Sequence, residues 1–451
     1  MKVRNESLLE GSIRKSILLF AFPIFLGSLF QQLYNMADAL IVGNFAGDDA
    51  LAAVTSTGTL IFLFIGFFGG MYQGMGVVIA RYFGAKDKVN VRKAICTAVI
   101  FGVLSGVVLS ISGVLGARTI VEMVGTPSEI YEDSVAYIRI YFMGALFTAI
   151  YNTMCGICRA LGDSKRPVHY LVVASIVNVI LDVVLVGIFG MAVRGAAIAT
   201  VLAQGTCAAL SWYRLMNLEE NSIRIQHLKR DYNWSLLKQM IQIGLPTGVQ
   251  NSVIAFANVV VQSSINSFGT VVMAGTGTYS KLQGIVFLPI EAFSMALTNF
   301  VSQNLGAGCV ERVKKGAAFG VLLSCISVEV IGILAFVFAP TLIGAFGGGA
   351  DVIAVGAMKL HIDALFYCFL AYAHTVSSIM RGAGKAKTPM FIMLGIWCVM
   401  RVAYIELVMY FTNSLTLVFW AYPLTWMTSF ILFFLAYRKL RLSFDKMIRI
   451  S

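Results

Sequence analysis

Charge is scarce in this chain. Asp, Glu, Lys and Arg together make up 12% of 451 residues, about half the share found in ordinary soluble domains. That scarcity excludes a soluble enzyme and a disordered, highly charged chain. Histidine is rarer still. His169, His227, His361 and His374 are scattered, so neither a metal motif of the H-E-x-x-H type nor a nucleophile–base constellation arises, and no catalytic residue or metal is assigned. A phosphate loop is missing too. Gly382-Ala383-Gly384-Lys385 imitates one, but Ile379 stands where its first glycine is required. Work against a gradient would then draw on ions rather than ATP. Eight cysteines are present, seven of them inside apolar runs, which does not suit a disulfide framework. Cys155 and Cys158 form a C-x-x-C with no second pair or flanking histidine to complete a site.

Apolar residues, by contrast, are abundant. They make up 58% of the chain, about 260 residues. A bilayer-spanning helix takes roughly 20, so twelve such helices would use about 240. Twelve apolar segments are indeed present, from about 16–42 to about 418–437. The expected fold is all-α: a polytopic membrane protein of twelve transmembrane helices. The first apolar run is too long for a cleavable signal. Lys and Arg cluster in every second connection, at Lys2, Arg4, Arg14 and Lys15, at Arg81 to Lys93, at Arg159 to Arg166, and so on to the tail. The alternate loops carry acids such as Asp48, Asp49, Glu122 and Asp351. The positive-inside rule then places both termini in the cytoplasm and the chain in the cell membrane. The net charge of +12 is explained by that bias, and no nucleic-acid partner is needed.

The chain repeats itself. Ser12, Lys15 and Pro23 recur as Ser235, Lys238 and Pro246, an offset of 223. After a one-residue slip the offset is 222: Gly84-Ala85 recurs as Gly306-Ala307, and Arg159, Gly162, Lys165 and Pro167 as Arg381, Gly384, Lys387 and Pro389. Six helices per repeat is an even number, so the two copies run parallel, about an axis along the membrane normal. The reading divides the chain into an N-terminal lobe (1–216), a polar linker (217–234), a C-terminal lobe (235–437) and a basic tail (438–451). Two such lobes would leave a cleft at the midplane and suit alternating access.

With these features on view, the sequence resembles the multidrug and toxic compound extrusion (MATE) family. The prolines of helices one and seven, the R-A-L-G-D-S-K-R-P and R-G-A-G-K-A-K-T-P loops, and the Q-Q-L-Y-N-M-A-D-A-L-I-V-G run carry the likeness. It covers essentially the whole chain. It implies a cation-coupled exporter of small amphipathic, often cationic, drugs or metabolites.

Ionisable groups inside membrane helices are costly and point to function. Gln31, Asn35 and Asp38 form one polar stripe on helix one, and Asn178 and Asp182 another on helix five. At about 1.5 Å per residue, Asp38, Asp182 and Thr200 of helix six all fall in the outer half of the bilayer. Two carboxylates, an amide and a hydroxyl suit a proton or a monovalent cation, and the pair would titrate as a unit. The second-half counterparts are Val261, Tyr404 and Tyr422, so the cluster belongs to one repeat only. One branch of the resembled family has a cation site of this pattern, which Asp38, Asn178, Asp182 and Thr200 match. Another branch carries a glutamate on helix seven where this chain has Ile254.

The expected coupling residues are therefore Asp38, Asn178, Asp182, Thr200 and Asn35, with H+ or Na+ as the ion and no other cofactor. Gln31, Tyr34, Glu291 and Met295 are candidates for the substrate cleft, and Pro23 for a hinge. Asp363 on helix ten reads either as a remnant of the other branch's cation site or, beside Lys359 and His361, as a local ion pair near the outer surface. Lys281, Glu291, Glu329, Arg401 and Glu406 read as interhelical partners. Gly66, Gly70 and Gly74 mark a close helix-contact face. The protein is expected to act as a monomer. The alternative on the same fold is a flippase for lipid-linked saccharides, which calls for more basic residues in a central cavity. A membrane-embedded enzyme lacks its motifs.

Overall fold

The computed structural model describes residues 8–123, 126–216 and 231–450. Every described element is helical, as a chain in hydrocarbon requires, because a helix satisfies its own backbone groups. The spans are α1 (Ile13–Ala46), α2 (Asp48–Gly84), α3 (Lys88–Met123), α4 (Ser128–Met143 with Ala145–Ala160), α5 (Lys165–Ile188), α6 (Ala192–Met216), α7 (Trp234–Asn266), α8 (Thr270–Gly306), α9 (Val310–Val337), α10 (Ala350–Ala364 with Tyr367–Gly382), α11 (Lys387–Phe411) and α12 (Leu415–Ile450). Nine are single helices long and apolar enough to cross a membrane, and the two bent pairs bring the count to 11. The 37-residue α2 is the twelfth. Most of the linker (217–230), with Arg224, Lys229 and Arg230, and the N-terminal Lys2 and Arg4 lie outside the described residues.

The repeat is visible in the backbone. Gly47 before α2 has φ 88° and Gly269 before α8 has φ 104°. Both are tight corners in a region that glycine enters without strain, and they lie 222 positions apart. The same holds for Gly162 and Gly384, at φ 91° and 82°.

Two features depart from a reading of straight, segregated helices. First, α4 bends by 47° at Gly144 and α10 by 58° around Leu365–Phe366. Each bend frees backbone N–H groups, and a neighbouring helix takes one of them. Leu146 N–H donates to Ser110 Oγ at 3.2 Å, and Cys368 N–H donates to Glu329 Oε2 at 2.9 Å. Glu329 is thus engaged with a main-chain amide rather than with a cation of the neighbouring helices. Second, the chain forms two compact units whose borders do not follow the linker. Leu26–Gly248 belongs to one, here unit 1, and Glu6–Phe25 with Val249–Ser451 to the other, unit 2. The chain passes from one unit to the other two residues after Pro23 and again two residues after Pro246.

In unit 1 the first part of α7 packs on α2 through glycine. A Cβ on Gly70 would fall on the Gly248 backbone, and one on Gly74 on that of Gly244. Small residues let helix backbones approach closely in a membrane, as the spacing of Gly70 and Gly74 leads one to expect. Around the C-terminal ends of α1 and α5, the first arm of α4 and the N-terminal end of α6, Val42, Ile138, Phe142, Val186, Val193 and Ala197 form an apolar cluster. Unit 2 has its own larger core, with Phe300, Tyr367, Trp426 and Phe433 fully or nearly fully buried.

Candidate functional site

Inside unit 1 the polar stripes of α1, α5 and α6 converge. Asn178 and Asp182 are completely buried and Thr200 is 8% exposed. With its amide oriented to satisfy both ends, Asn178 donates to Asp182 Oδ2 at 2.7 Å and accepts from the Thr200 backbone N–H at 3.2 Å. The amide therefore ties α5 to α6 and fixes the carboxyl of Asp182. Asp38, on α1, brings its carboxyl within hydrogen-bonding reach of Asp182. Thr200 spends its hydroxyl proton on Ala196 C=O, at 3.0 Å. The Tyr34 hydroxyl lies beside that of Thr200.

Tyr137 and Tyr141, one turn apart on the first arm of α4, complete the wall. Their rings stack with centroids 6.2 Å apart, and Tyr137 is buried close to Asp38 and Asp182. One oxygen of each acid, Asp38 Oδ1 and Asp182 Oδ1, is buried and has no hydrogen-bond partner among the described residues.

This arrangement limits what the pair can do. Two carboxyls in contact, out of water, do not persist as two bare charges. A hydrogen bond between them needs one proton. A monovalent cation held by the free oxygens would balance the charge equally well. Such a pair titrates as a unit.

Of the residues singled out in the sequence, Asp38, Asn178, Asp182 and Thr200 come together here, and Tyr34 joins them rather than standing apart. Asn35 and Gln31, on the same stripe of α1 as Asp38, are exposed rather than enclosed with it. Glu291 and Met295 are half-buried on α8 in unit 2. Pro23 lies within α1, fifteen residues before Asp38. Tyr137 and Tyr141 were not anticipated. Two tyrosines at i and i+4 on the first arm of α4 were the available signal.

Unit 2 has no such acid pair at the matching positions, where Val261, Tyr404 and Tyr422 stand. Its interior charge lies elsewhere. Lys359 and Asp363 pair at 2.9 Å but are buried, 3% and 0% exposed, rather than at the surface. His361 is turned away toward Phe336 C=O, at 3.0 Å. Arg401 donates to Thr425 Oγ1 through Nε and Nη2, at 3.1 and 2.8 Å. Lys281 and Glu406 are exposed, and Lys359 and Asp363 pair within one helix rather than between two.

Two parallel six-helix repeats with an acid pair buried in one of them define a membrane transporter. The family comparison agrees. The MatE family model matches residues 23–184 and again 246–405, so each match begins at one of the two equivalent prolines. The chain belongs to the MatE family and is a multi-pass membrane transporter, not an enzyme. It is 28% identical over 397 residues to the probable multidrug resistance protein YoeA of Bacillus subtilis, covering 86% of this chain and 85% of that one. It is 27% identical over 395 residues to the probable multidrug resistance protein NorM of Thermotoga maritima, covering 85% and 83%. The fold matches a solved MOP superfamily transporter from Pyrococcus furiosus, with a TM-score of 0.92, 22% identity and 99% of both chains covered.

Proposed function

We propose that this protein is a secondary antiporter that exports small amphipathic, mainly cationic, organic molecules in exchange for protons or sodium by alternating access. It works in the cell membrane as a monomer with both termini in the cytoplasm, and it uses no ATP. The observation that carries this reading is the buried contact of Asp38 with Asp182. An acid pair enclosed in hydrocarbon, with an unpartnered oxygen on each member, answers to the supply of protons or cations from one side of the membrane. The multidrug relatives support organic substrates.

The geometry supports the following route for exchange. A proton or sodium ion entering from outside leaves the pair with one negative charge, removes the repulsion between the carboxylates and lets α1, α5 and α6 close around it. Release of that charge inward restores repulsion between the two carboxylates and shifts α1. Asp38 is joined along α1 to Pro23, which has no N–H for the Leu19 carbonyl, so a change at the acids can be relieved as bending at the proline.

The test is transport in proteoliposomes with pH and sodium gradients imposed separately. Uptake or extrusion of a fluorescent organic cation should follow one of the gradients. Transport of equal rate with neither gradient would exclude antiport. It would leave a passive carrier, or a flippase if a lipid-linked saccharide moved instead.

A further inference from the structure

Unit 2 encloses a charge cluster that ion coupling in unit 1 does not use. Lys359 and Asp363 lie one turn apart on the first arm of α10, with Nζ 2.9 Å from Oδ2. The Tyr279 hydroxyl donates to the same Oδ2, and the Tyr367 hydroxyl lies 3.4 Å from that of Tyr279. The ammonium sits 4.7, 4.9 and 3.9 Å from the ring centroids of Tyr279, Phe419 and Tyr422. Aromatic faces at such distances attract a cation electrostatically, most strongly where water is excluded. Asp363 Oδ1 is buried and lacks a partner among the described residues. Arg401 stays with Thr425 and the face of Tyr422, 4.5 Å from the ring centroid.

The repeat shows where this cluster stands. The bends at Gly144 and Phe366 fix the offset at 222 within α4 and α10. Lys359 and Asp363 therefore occupy the positions of Tyr137 and Tyr141, the wall of the acid site in unit 1, and Tyr422 occupies that of Thr200. Around this wall unit 1 holds two acids, on α1 and α5, whereas unit 2 holds one acid, on the wall itself, whose cation is attached to the chain. A carboxylate, a phenol hydroxyl and three aromatic faces around an ammonium are also the groups that would recognise a free primary amine.

We propose that unit 2 contains a cation site permanently filled by the side chain of Lys359, and that shortening this side chain opens the site to small primary alkylammonium ions. With Lys359 in place the unit takes no cation from solution, which leaves exchange to unit 1 alone. The inference rests on the geometry of unit 2 and stands whether or not unit 1 couples transport to an ion.

Lys359→Ala removes three methylenes and the ammonium, the outline of n-propylammonium. The test uses full-length, detergent-solubilised protein carrying Asp38→Asn and Asp182→Asn, so that unit 1 gives no ion response. In that background Lys359→Ala should lower the melting temperature. n-Propylammonium chloride should raise it again by several degrees, saturably. Sodium chloride and tetramethylammonium chloride at equal ionic strength should fall short, the latter because it has no N–H to donate to Asp363. The parent with Lys359 should not respond, and Lys359→Ala with Asp363→Asn should lose the response. An equal shift in parent and variant, or no shift in either, would overturn the proposal. If Lys359→Ala alone yields no folded protein, the Lys359→Met/Asp363→Asn double variant, which removes both members of the pair, should restore it. Failure of that double variant to fold would mean that Lys359 does not serve to balance Asp363, and would equally overturn it.

Discussion

Asp182 has two roles that can be separated by substitution. Its Oδ2 accepts from the Asn178 amide at 2.7 Å, and its carboxyl meets that of Asp38. Asp182→Asn keeps an oxygen for Asn178 and removes the charge. Asp182→Leu removes both and leaves a fully buried amide donor without its acceptor. An unmade buried hydrogen bond costs about 1–3 kcal/mol. Asp182→Asn should therefore melt within about 1 kcal/mol of wild type, and Asp182→Leu should lose that further 1–3 kcal/mol. Both should lose gradient-driven export, because neither retains an acid pair. The assays are tryptophan-fluorescence melting in detergent and export of a fluorescent cation from proteoliposomes. If Asp182→Asn exports at the wild-type rate with its gradient dependence intact, the acid pair is not the coupling site. If Asp182→Leu is as stable as Asp182→Asn, the tie from Asn178 carries no weight.

Pro23→Ala supplies the missing N–H to Leu19 C=O and stiffens α1, so initial export rates in proteoliposomes should fall more than for Pro246→Ala, whose helix bears no acid pair. Equal losses would make both prolines architectural. Glu329→Ala strips the acceptor from the Cys368 N–H at the α10 bend and should cost about 1–3 kcal/mol in melting, whereas Glu329→Gln, which keeps an oxygen there, should cost less. Gly74→Leu drives a side chain into the Gly244 backbone and should abolish monodisperse protein in size-exclusion chromatography. Gly69→Ala, which meets open space, should leave the elution profile unchanged.

Much of this architecture was legible in the sequence for a physical reason. Hydrocarbon tolerates few solutions for a backbone, so apolar length alone implies helices, and an acid such as Asp38 or Asp182 within an apolar run stands out by its desolvation cost. The repeat supplied a control within one chain, since the counterparts Val261 and Tyr404 are uncharged. Other features left weaker traces. The bends of α4 and α10 depend on acceptors, Ser110 and Glu329, that lie more than thirty residues away from the amides they satisfy. The passage of α1 and α7 between units is a matter of packing, to which the hydropathy of either helix is indifferent. Tyr34 and Tyr137 are residues that serve equally in lipid-facing belts, so their place beside the acids emerges only from the convergence of helices. The burial of Lys359 was hidden by its spacing from Asp363, which is also that of an ordinary exposed helix pair.

The central claim is that the Asp38–Asp182 pair exchanges its proton or sodium ion against substrate. Its most direct test is the affinity of purified protein for a fluorescent organic cation, titrated against pH and, at fixed pH and ionic strength, against sodium with potassium as control. Lower pH or added sodium should weaken binding at least tenfold in wild type. Potassium should not, and Asp38→Asn should flatten the response. Affinity indifferent to both pH and sodium in wild type, or an Asp38→Asn variant that responds as wild type does, would contradict the claim.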